Sequence, residues 1–389
     1  MRRILPAIVL SQFLCTSLWF AGNAVLPDIL TTFHLPQHFL GNLTAVVQLG
    51  FITGTLVFAL FMVSDRYSPS KVFCICAIIA AFINTGMIVE NIHPVELLIF
   101  RFFTGFFLAG IYPVGMKIAA DHYKEGLGKS LGFLVGALVM GTAFPHLLKS
   151  LTLSLPWKYV IIITSALSFT GGLCMLLFVK DGPYRKPGQP LRLFAFFTLF
   201  RNGNLRAAAF GYFGHMWELY TFWAFVPVML ATYQKHFRDI YLNIPLLSFF
   251  IIGSGSLACI GSGLLSQRFS TKKIASTALA ISGLCCIFSP FFLLQNSVTV
   301  FLIFLLIWGW AVIADSPMFS TLVAHNAPAE ARGSVLTMVN CIGFSVTILS
   351  IQLVNALLTH SNAQYIYLLL AAGPAMGLFA LFSKEEKDR

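Results

Sequence analysis

Residues 64–71 read SDRYSPSK, a polar stretch between two long apolar runs, and a similar stretch, SQRFSTKK, occupies residues 266–273. Both stretches carry serine, arginine, serine and lysine at equivalent positions. Farther along, three residues of the first half recur in the same order in the second half: Gly105, Pro113 and Ser130 as Gly309, Pro317 and Ser334. Matches that keep their order along a chain indicate an internal duplication.

The composition places this duplication in a membrane. The 389 residues are 58% hydrophobic and only 10% charged, with a mean hydropathy of +0.83, whereas soluble domains carry about 25% charged residues. Apolar runs of about 20 residues, long enough to cross a ~30 Å hydrocarbon layer as helices, recur along the chain. We predict twelve spans, at residues 4–30, 39–62, 71–90, 95–118, 127–148, 158–179, 206–233, 244–266, 274–295, 298–323, 333–358 and 363–383. The first is expected to be a span and not a cleaved signal peptide, because its apolar run is too long.

The charges alternate between the two sides of these spans. With the N-terminus in the cytoplasm, 20 lysines and arginines fall in inside segments and four in outside loops, while Arg101 lies within a span. This positive-inside bias predicts that both termini are cytoplasmic. It also accounts for the net charge of +11 without a nucleic-acid partner.

The longest break in hydrophobicity, residues 180–205, divides the spans six and six. It begins with glycines and prolines that prevent a continuous helix. Its apolar piece at 191–200 is too short to span and is predicted to lie in the cytoplasmic membrane interface. We therefore predict two six-helix bundles, residues 1–179 and 206–389, joined by this linker.

Degenerate forms of a known loop signature occur after spans two and eight. The signature reads Gly-x-x-x-Asp-Arg-x-Gly followed by two basic residues; the first loop keeps Asp65 and Arg66, and the second keeps Gly263, Arg268, Lys272 and Lys273. A span-four signature, Leu-x-x-x-Arg-x-x-Gln-Gly, is present as Leu97, Arg101, Thr104 and Gly105. With six plus six spans and a central linker, the chain resembles the major facilitator superfamily over its whole length.

This resemblance implies the fold and the class of function. It implies an all-α polytopic membrane protein whose twelve transmembrane helices form two pseudo-symmetric six-helix bundles. It also implies alternating access of a central cavity to the two sides of the membrane. In the family, the arginine that matches Arg101 is linked to proton coupling, and the first spans of both halves line the cavity.

Four ionisable residues stand out at membrane depth within the predicted spans: Arg101, His215, Glu218 and Asp315, while Asp28, at the outer end of span one, is a borderline case. Such residues are costly at membrane depth and mark functional sites. Glu218 is placed near the middle of span seven, and burial favours the proton-bound form of a carboxyl group. His215 lies three residues earlier on the same helical face and is predicted to contact Glu218. Arg101 needs a counter-charge, a cluster of carbonyls or an anionic substrate. We interpret Glu218, His215 and Arg101 as the proton-coupling residues; a purely structural carboxylate is the alternative.

The sequence Asp315-Ser316-Pro317 is typical of the start of a helix, although it falls inside span ten. Pro113 occupies the equivalent point of span four. Paired interruptions in two repeats point to moving or binding parts, so Asp315, Pro317 and Pro113 are predicted gate residues, with a static kink as the alternative. The loop residues Asp65, Arg66 and Arg268 are further gate candidates.

Five aromatic or polar residues on the first spans of the two halves are cavity candidates by resemblance: Trp19, Asn23, Trp217, Tyr220 and Trp223. The eight cysteines all fall in apolar segments and are interpreted as small buried apolar residues. The sequence carries neither a recognisable metal-binding motif nor a nucleophile motif, so we expect no metal and no cofactor beyond a proton gradient.

The leading hypothesis is proton-coupled secondary active transport of a small organic solute across the cytoplasmic membrane. An uncoupled facilitator, a lipid flippase and a drug-type proton antiporter stay open, and a membrane-embedded enzyme or receptor is a more distant alternative. The expected partners are a small-molecule substrate, protons and the lipid bilayer. We expect a monomer, with no nucleic acid bound.

Overall fold

The computed structural model describes residues 4–90, 92–123, 127–152, 154–185, 191, 197, 201–328, 330–358 and 364–383. Every regular element in these ranges is helical. The interfacial segment predicted at 191–200 lies outside the described residues apart from 191 and 197.

The described helices fall into twelve regions, which follow the order of the predicted spans and keep their numbers below. In the first half, spans one to six contain the helices Ile4–Thr16, Ala21–Ala24, Leu26–Thr32, Phe39–Leu60, Pro69–Thr85, Gly86–Ile88, Pro94–Leu108, Tyr112–His122, Leu127–Leu151 and Lys158–Phe178, and the short helix Val63–Arg66 lies in the loop after span two. In the second half, spans seven to twelve contain Gly203–His236, Ile244–Gly253, Gly255–Leu265, Thr271–Leu293, Val298–Ala314, Ser316–Asn326, Arg332–Leu358, Ile366–Ala371 and Ala372–Phe382.

Nine of these regions are long and apolar enough to cross a membrane, counted over the described residues. Span seven is a 34-residue helix, and shorter apolar helices lie at Ile4–Thr16 and Ile366–Phe382. The predicted all-helical, multi-pass fold is therefore confirmed, and the helices are consistent with twelve spans.

Two interruptions occur where the repeat places them. Span four breaks between Leu108 and Tyr112, and span ten breaks at Asp315, which separates Val298–Ala314 from Ser316–Asn326. Each second helix has a proline in its first turn, where the missing N–H costs no intrahelical hydrogen bond. The breaks predicted from Pro113 and Pro317 are confirmed.

Span one is interrupted as well, and the sequence does not predict this break. Residues 17–20 form a turn between the helices Ile4–Thr16 and Ala21–Ala24. This segment holds neither glycine nor proline, so it lacks the residues that usually announce a break. Tertiary contacts that satisfy its backbone are described with the site below.

Close helix packing in each half depends on glycine. A Cβ added to Gly105 would lie 2.1 Å from the carbonyl oxygen of Val47, so spans two and four touch backbone to backbone. A Cβ added to Gly214 would lie 2.3 Å from the carbonyl oxygen of Gly373, which brings spans seven and twelve equally close. Small residues at helix contacts are typical of membrane bundles.

The chain divides into two compact units. The first comprises residues 1–190 with 245–256, and the second comprises 191–244 with 257–389. Residues 245–256 therefore group with the first unit, although their place in the chain lies inside the predicted second bundle. Every side-chain cluster considered below lies wholly within one unit.

Candidate functional site

Glu218 is one of two fully buried acids, with Asp315, that the structure describes in the second unit. It is the sixteenth residue of the 34-residue helix Gly203–His236, about 22 Å along that helix, and its side chain is fully buried. Oε1 accepts hydrogen bonds from Nε1 of Trp308 at 2.6 Å and from Sγ of Cys286 at 3.3 Å, and Oε2 accepts from Oγ of Ser282 at 2.9 Å. These three donors are neutral. Over the described residues, no lysine, arginine or histidine nitrogen lies within ion-pair distance of this carboxylate.

Ser282 can serve Glu218 in two protonation states. Its Oγ also lies 3.1 Å from the carbonyl oxygen of Leu279, and a hydroxyl has one proton to donate. When Glu218 is ionised, that proton is directed to Oε2. When Oε2 carries a proton, the carboxyl O–H can donate to Ser282 Oγ while the serine hydroxyl donates to Leu279. The site therefore keeps its hydrogen bonds whether or not the proton is present.

His215 and Asp315 form a second buried pair in the same unit. Nδ1 of His215 lies 2.7 Å from Oδ1 of Asp315, and both side chains are fully buried. The approach is not aligned as a hydrogen bond, and Nε2 of His215 and Oδ2 of Asp315 also have no hydrogen-bond partner among the described protein groups. The rings of Tyr212 and Phe319 flank the imidazole, with distances between ring centroids of 6.0 and 6.2 Å.

This geometry corrects one prediction from the sequence. The prediction that His215 contacts Glu218 is wrong. His215 contacts Asp315 at the break in span ten, whereas Glu218 contacts Ser282 on span nine and Trp308 on span ten. The helical spacing put the two residues on neighbouring positions of span seven, but each side chain meets a different partner across the helix packing.

Asp315 stands at the N-cap position of the helix Ser316–Asn326, as its sequence context predicted. Its carboxylate makes no capping hydrogen bond to that helix. The side chain meets His215 instead. The break in span ten therefore brings an acid onto span seven and does not merely start a helix.

Arg101 lies fully buried in the first unit and binds the break in span one. Nη1 donates to the carbonyl oxygen of Leu18 at 3.0 Å, and Nη2 donates to the carbonyl oxygen of Trp19. Of the three partners that the sequence left open for this arginine, the structure places a carbonyl cluster beside it. The unpredicted turn at residues 17–20 and the buried charge therefore satisfy each other.

The first unit also contains a group of buried polar side chains on spans one and two. Nε1 of Trp19 donates to Oε1 of Gln48 at 3.3 Å, and Nδ2 of Asn23 donates to Oγ1 of Thr44 at 2.7 Å. Several amide atoms have no protein partner among the described groups: both atoms of the Gln12 amide, Nε2 of Gln48 and Oδ1 of Asn23. Buried polar atoms are nearly always paired, so such atoms point to water or a ligand.

The cavity candidates of span seven separate into two groups. Tyr220 and Trp223 are buried and pack ring to ring at 5.2 Å, and Tyr220 also meets Phe344. Trp217 donates from Nε1 to the carbonyl oxygen of Leu369 at 3.2 Å. Trp217 therefore lies against span twelve. This contact does not support the prediction that Trp217 lines the cavity.

The first loop is held by basic residues from elsewhere in its unit. Lys117 forms an ion pair with Asp65, and Arg185 donates to the backbone oxygens of Asp65 and Tyr67 at 2.9 and 2.7 Å. Two other gate candidates, Arg66 and Arg268, are exposed. Asp65 and its backbone are thus bound to Lys117 and Arg185, which hold the loop in place.

The sequence interpretation missed the partners of Glu218. Ser282 and Cys286 lie four residues apart on span nine and so share one helical face, which was an available signal. Trp308 was one tryptophan among six and carried no signal of its own. Cys286 was interpreted as an inert apolar residue, yet its thiol contacts the carboxylate. Gln12, Gln48 and Thr44 were polar residues inside spans and were likewise missed.

Comparison with known proteins decides the family. A model described as the Major Facilitator Superfamily matches residues 8–351 and again residues 208–388. The chain belongs to the major facilitator superfamily. Among curated protein sequences none matches the chain. As a superfamily member, the protein is a multi-pass membrane transporter.

Solved structures with the same superfamily fold cover nearly the whole chain. A human organic anion transporter, MFSD10 (TETRAN), matches with a TM-score of 0.74 and 14% identity over 98% of this chain and 99% of its own. A mutant of the nucleoside transporter NupG matches with a TM-score of 0.72 and 16% identity over 98% of this chain and 99% of its own. A third match is a bacterial homologue of the human lysosomal transporter Spinster, in an inward-facing and occupied conformation. Its TM-score is 0.68, with 16% identity over 98% of this chain and 93% of its own. At these identities the likeness shows the fold alone.

Proposed function

We propose that the protein is a proton-coupled transporter of a small organic solute that works by alternating access, with Glu218 as the group that gains and loses the proton. The observation that carries this proposal is the neutral, complete hydrogen-bonding shell of Glu218. A carboxylate with a fixed cationic partner would hold its charge permanently. Glu218 has none among the described residues, so a proton is its available counter-charge.

The shell around Glu218 supports reversible proton binding. Trp308 and Cys286 stabilise the ionised form from one side, and the hydroxyl of Ser282 can reverse its direction when the proton arrives. Because the hydrogen bonds persist in both states, neither state leaves a buried polar atom unpaired. Access of water to this site in one conformation and its exclusion in the other would then couple proton movement to the cycle.

His215 and Asp315 are proposed as a second element of the coupling. Their contact joins span seven to the broken span ten. A proton that reaches the pair would change its charge and thereby the strength of the contact between span seven and the break in span ten. We propose that Asp315 and Pro317, with Pro113 in the first unit, form moving elements of the gate.

A neutral solute fits the first unit better than an anionic one. Arg101 is the buried arginine of the described spans, and two of its three guanidinium nitrogens already donate to Leu18 and Trp19. The buried atoms without protein partners belong largely to uncharged groups, among them the amides of Gln12 and Gln48. We propose that the solute forms hydrogen bonds with these amides beside Trp19 and Asn23. Two structural neighbours are named as transporters of an organic anion and of a nucleoside. Of these two solutes, the uncharged, hydrogen-bonding nucleoside is closer to the proposed neutral solute.

We also propose that the transporter lies in the cytoplasmic membrane with both termini inside. The count of 20 basic residues against four supports this orientation. Tyr67 and Tyr241 are exposed and fall on opposite sides in the proposed topology. A cysteine at position 241 should react with an impermeant thiol reagent on intact cells, and one at position 67 should react only after the membrane is opened.

The experiment that tests transport starts from ligand discovery. Purified protein is screened by thermal shift against a library of neutral and anionic metabolites, since a ligand that binds only the native state raises its stability. A hit is then offered to proteoliposomes with and without an imposed proton gradient. Accumulation only with the gradient supports coupling. Equal, non-concentrative uptake in both conditions would support an uncoupled facilitator, and chemical conversion of the solute would support an enzyme.

A further inference from the structure

A groove runs along the outer surface of the second unit between spans eight, nine and ten. Its volume is about 590 Å³, and its walls are almost entirely apolar. Residues along it, among them Leu265, Ile281 and Ile307, are about half exposed. In a membrane protein, such an exposed apolar surface faces lipid hydrocarbon.

The groove exists because small residues line facing helices. Its lining includes Ala258 and Gly261 on span eight, Ala278 on span nine, and Ala311 and Ala314 on span ten. A Cβ added to Gly261 would meet no atom within 4 Å. The space is therefore left open by the sequence and is not filled by any described side chain.

One end of the groove is basic. Lys273 lines it together with Phe269 and lies in the first turn of the helix Thr271–Leu293. Helix N-termini attract anions. Arg268 precedes this turn, and neither Arg268 nor Lys273 has an acid within ion-pair distance among the described residues.

The equivalent loop of the first unit differs in this respect. There Asp65 pairs with Lys117, and Asp181 pairs with Arg185 and accepts a hydrogen bond from Ser68 at 2.6 Å. In the second loop the acid is replaced by Gln267. The second copy of the loop thus keeps its basic residues and lacks the acid that would neutralise them.

We propose that this groove binds one anionic phospholipid, with an acyl chain along Gly261, Ala311 and Ala314 and the phosphate at Lys273. The apolar length suits a hydrocarbon chain, and basic pockets between membrane helices suit anionic headgroups. A free phosphate would use Lys273 but not the groove. A zwitterionic lipid would use the groove, but its choline cation would offset the attraction between its phosphate and Lys273. The combination selects a lipid that has both features.

The test measures lipid affinity by native mass spectrometry of the full-length protein in detergent. The probes are a phosphatidylglycerol, a phosphatidylcholine with the same acyl chains, and glycerol 3-phosphate, which has no chain. Wild-type protein should bind the phosphatidylglycerol at least about fivefold more tightly than the phosphatidylcholine, because each basic residue near an anionic headgroup contributes about that factor. Glycerol 3-phosphate should bind far more weakly than either lipid.

Two variants separate the headgroup from the chain. Lys273→Gln should remove about a fivefold preference for phosphatidylglycerol and leave phosphatidylcholine binding unchanged. Gly261→Phe fills open space in the groove and should weaken binding of both lipids. Gly333→Phe and Lys235→Gln are matched controls, because Gly333 also has no atom near an added Cβ and Lys235 is an exposed lysine elsewhere in the unit.

Three results would overturn the proposal. The first is equal affinity of the wild-type protein for the two lipids. The second is a Lys273→Gln protein that keeps its preference for phosphatidylglycerol. The third is a Gly261→Phe protein that melts at the wild-type temperature without added lipid and still binds both lipids as the wild type does.

Discussion

Arg101 in the first unit and Glu218 in the second are both fully buried ionisable residues, but their surroundings differ in kind. Arg101 donates to the carbonyl oxygens of Leu18 and Trp19, which the break in span one makes available. Glu218 accepts from the side chains of Trp308, Cys286 and Ser282. The arginine is therefore tied to backbone, while the acid is surrounded by side chains that can adjust.

We infer that this difference separates a permanent charge from an exchangeable one. A guanidinium does not lose its proton in proteins, so backbone carbonyls suit it and stabilise the bent span one. A carboxyl group can be neutral or ionised, and the hydroxyl of Ser282 allows both states. We infer that Arg101 mainly positions span one and that proton exchange belongs to the second unit.

The largest expected effect comes from Arg101→Met. It removes two charge-assisted hydrogen bonds and leaves two buried carbonyls without their partner, so it should destabilise the protein by about 5 kcal/mol or more. Thermal melting in detergent should show a drop of roughly 10 °C or more, with loss of expressed, folded protein. Arg206→Met, at an exposed arginine, is the control for loss of one positive charge. A wild-type melting temperature for Arg101→Met would show that span one keeps its bend without the arginine.

The pair His215 and Asp315 should act as one unit. Asp315→Asn and His215→Gln should each destabilise the protein by about 3 kcal/mol, since removing one partner of a buried pair leaves the other uncompensated. The double variant should lose little more than the worse single variant. Melting curves of the four proteins form a double-mutant cycle. Additive losses would mean that the two side chains do not interact, in spite of their 2.7 Å separation.

Ser282→Ala should have a smaller effect, confined to coupling. It removes the hydrogen bond between Ser282 and Glu218 in both protonation states, and a difference of about 1 kcal/mol between those losses corresponds to about fivefold in the ratio of proton-driven to gradient-free uptake. Ser282→Thr keeps the hydroxyl and should restore the ratio. Ser289→Ala is the matched control, because that hydroxyl donates to the backbone of Cys286 and does not contact Glu218. If the two alanine variants behave alike, the hydroxyl beside Glu218 has no special part.

An effect of the same size, on rate alone, is expected at the helix breaks. Pro317→Ala and Pro113→Ala should change the barrier to transport by about 1 kcal/mol, about fivefold in rate, while solute affinity stays the same. Initial uptake rates and the thermal-shift affinity separate these quantities. A loss of affinity that exceeds the loss of rate would move either proline from the gate to the solute site.

Much of the fold could be predicted from the sequence because it depends on composition and repetition. Apolar length fixed the helices, and the recurrence of Pro113 as Pro317 located two breaks. The break at residues 17–20 could not be predicted, because the group that binds its carbonyl oxygens is Arg101, which is distant in the chain. Local residues there give no sign of it.

The sequence predicted which ionisable residues belong to the site better than it predicted which side chains contact one another. An acid within a span can be identified from its cost, which drew attention to Glu218 and Asp315. Which side chains meet is decided by the rotation and packing of spans seven, nine and ten. For that reason the sequence paired His215 with Glu218, whereas the structure pairs it with Asp315. Ser282 and Cys286 share one helical face in the sequence, whereas Trp308 is recognised as a donor to Glu218 only from the packing of spans seven and ten.

The most direct test of the account is proton-driven accumulation by Glu218→Gln in proteoliposomes, with the solute found by thermal shift. Glutamine keeps the size of the side chain but cannot titrate. We predict that the variant no longer concentrates solute when a proton gradient is imposed, while exchange of labelled for unlabelled solute without a gradient persists at a rate near that of the wild type. If Glu218→Gln still concentrates the solute in a gradient-dependent manner at the wild-type rate, Glu218 is not the proton carrier and the central claim is wrong.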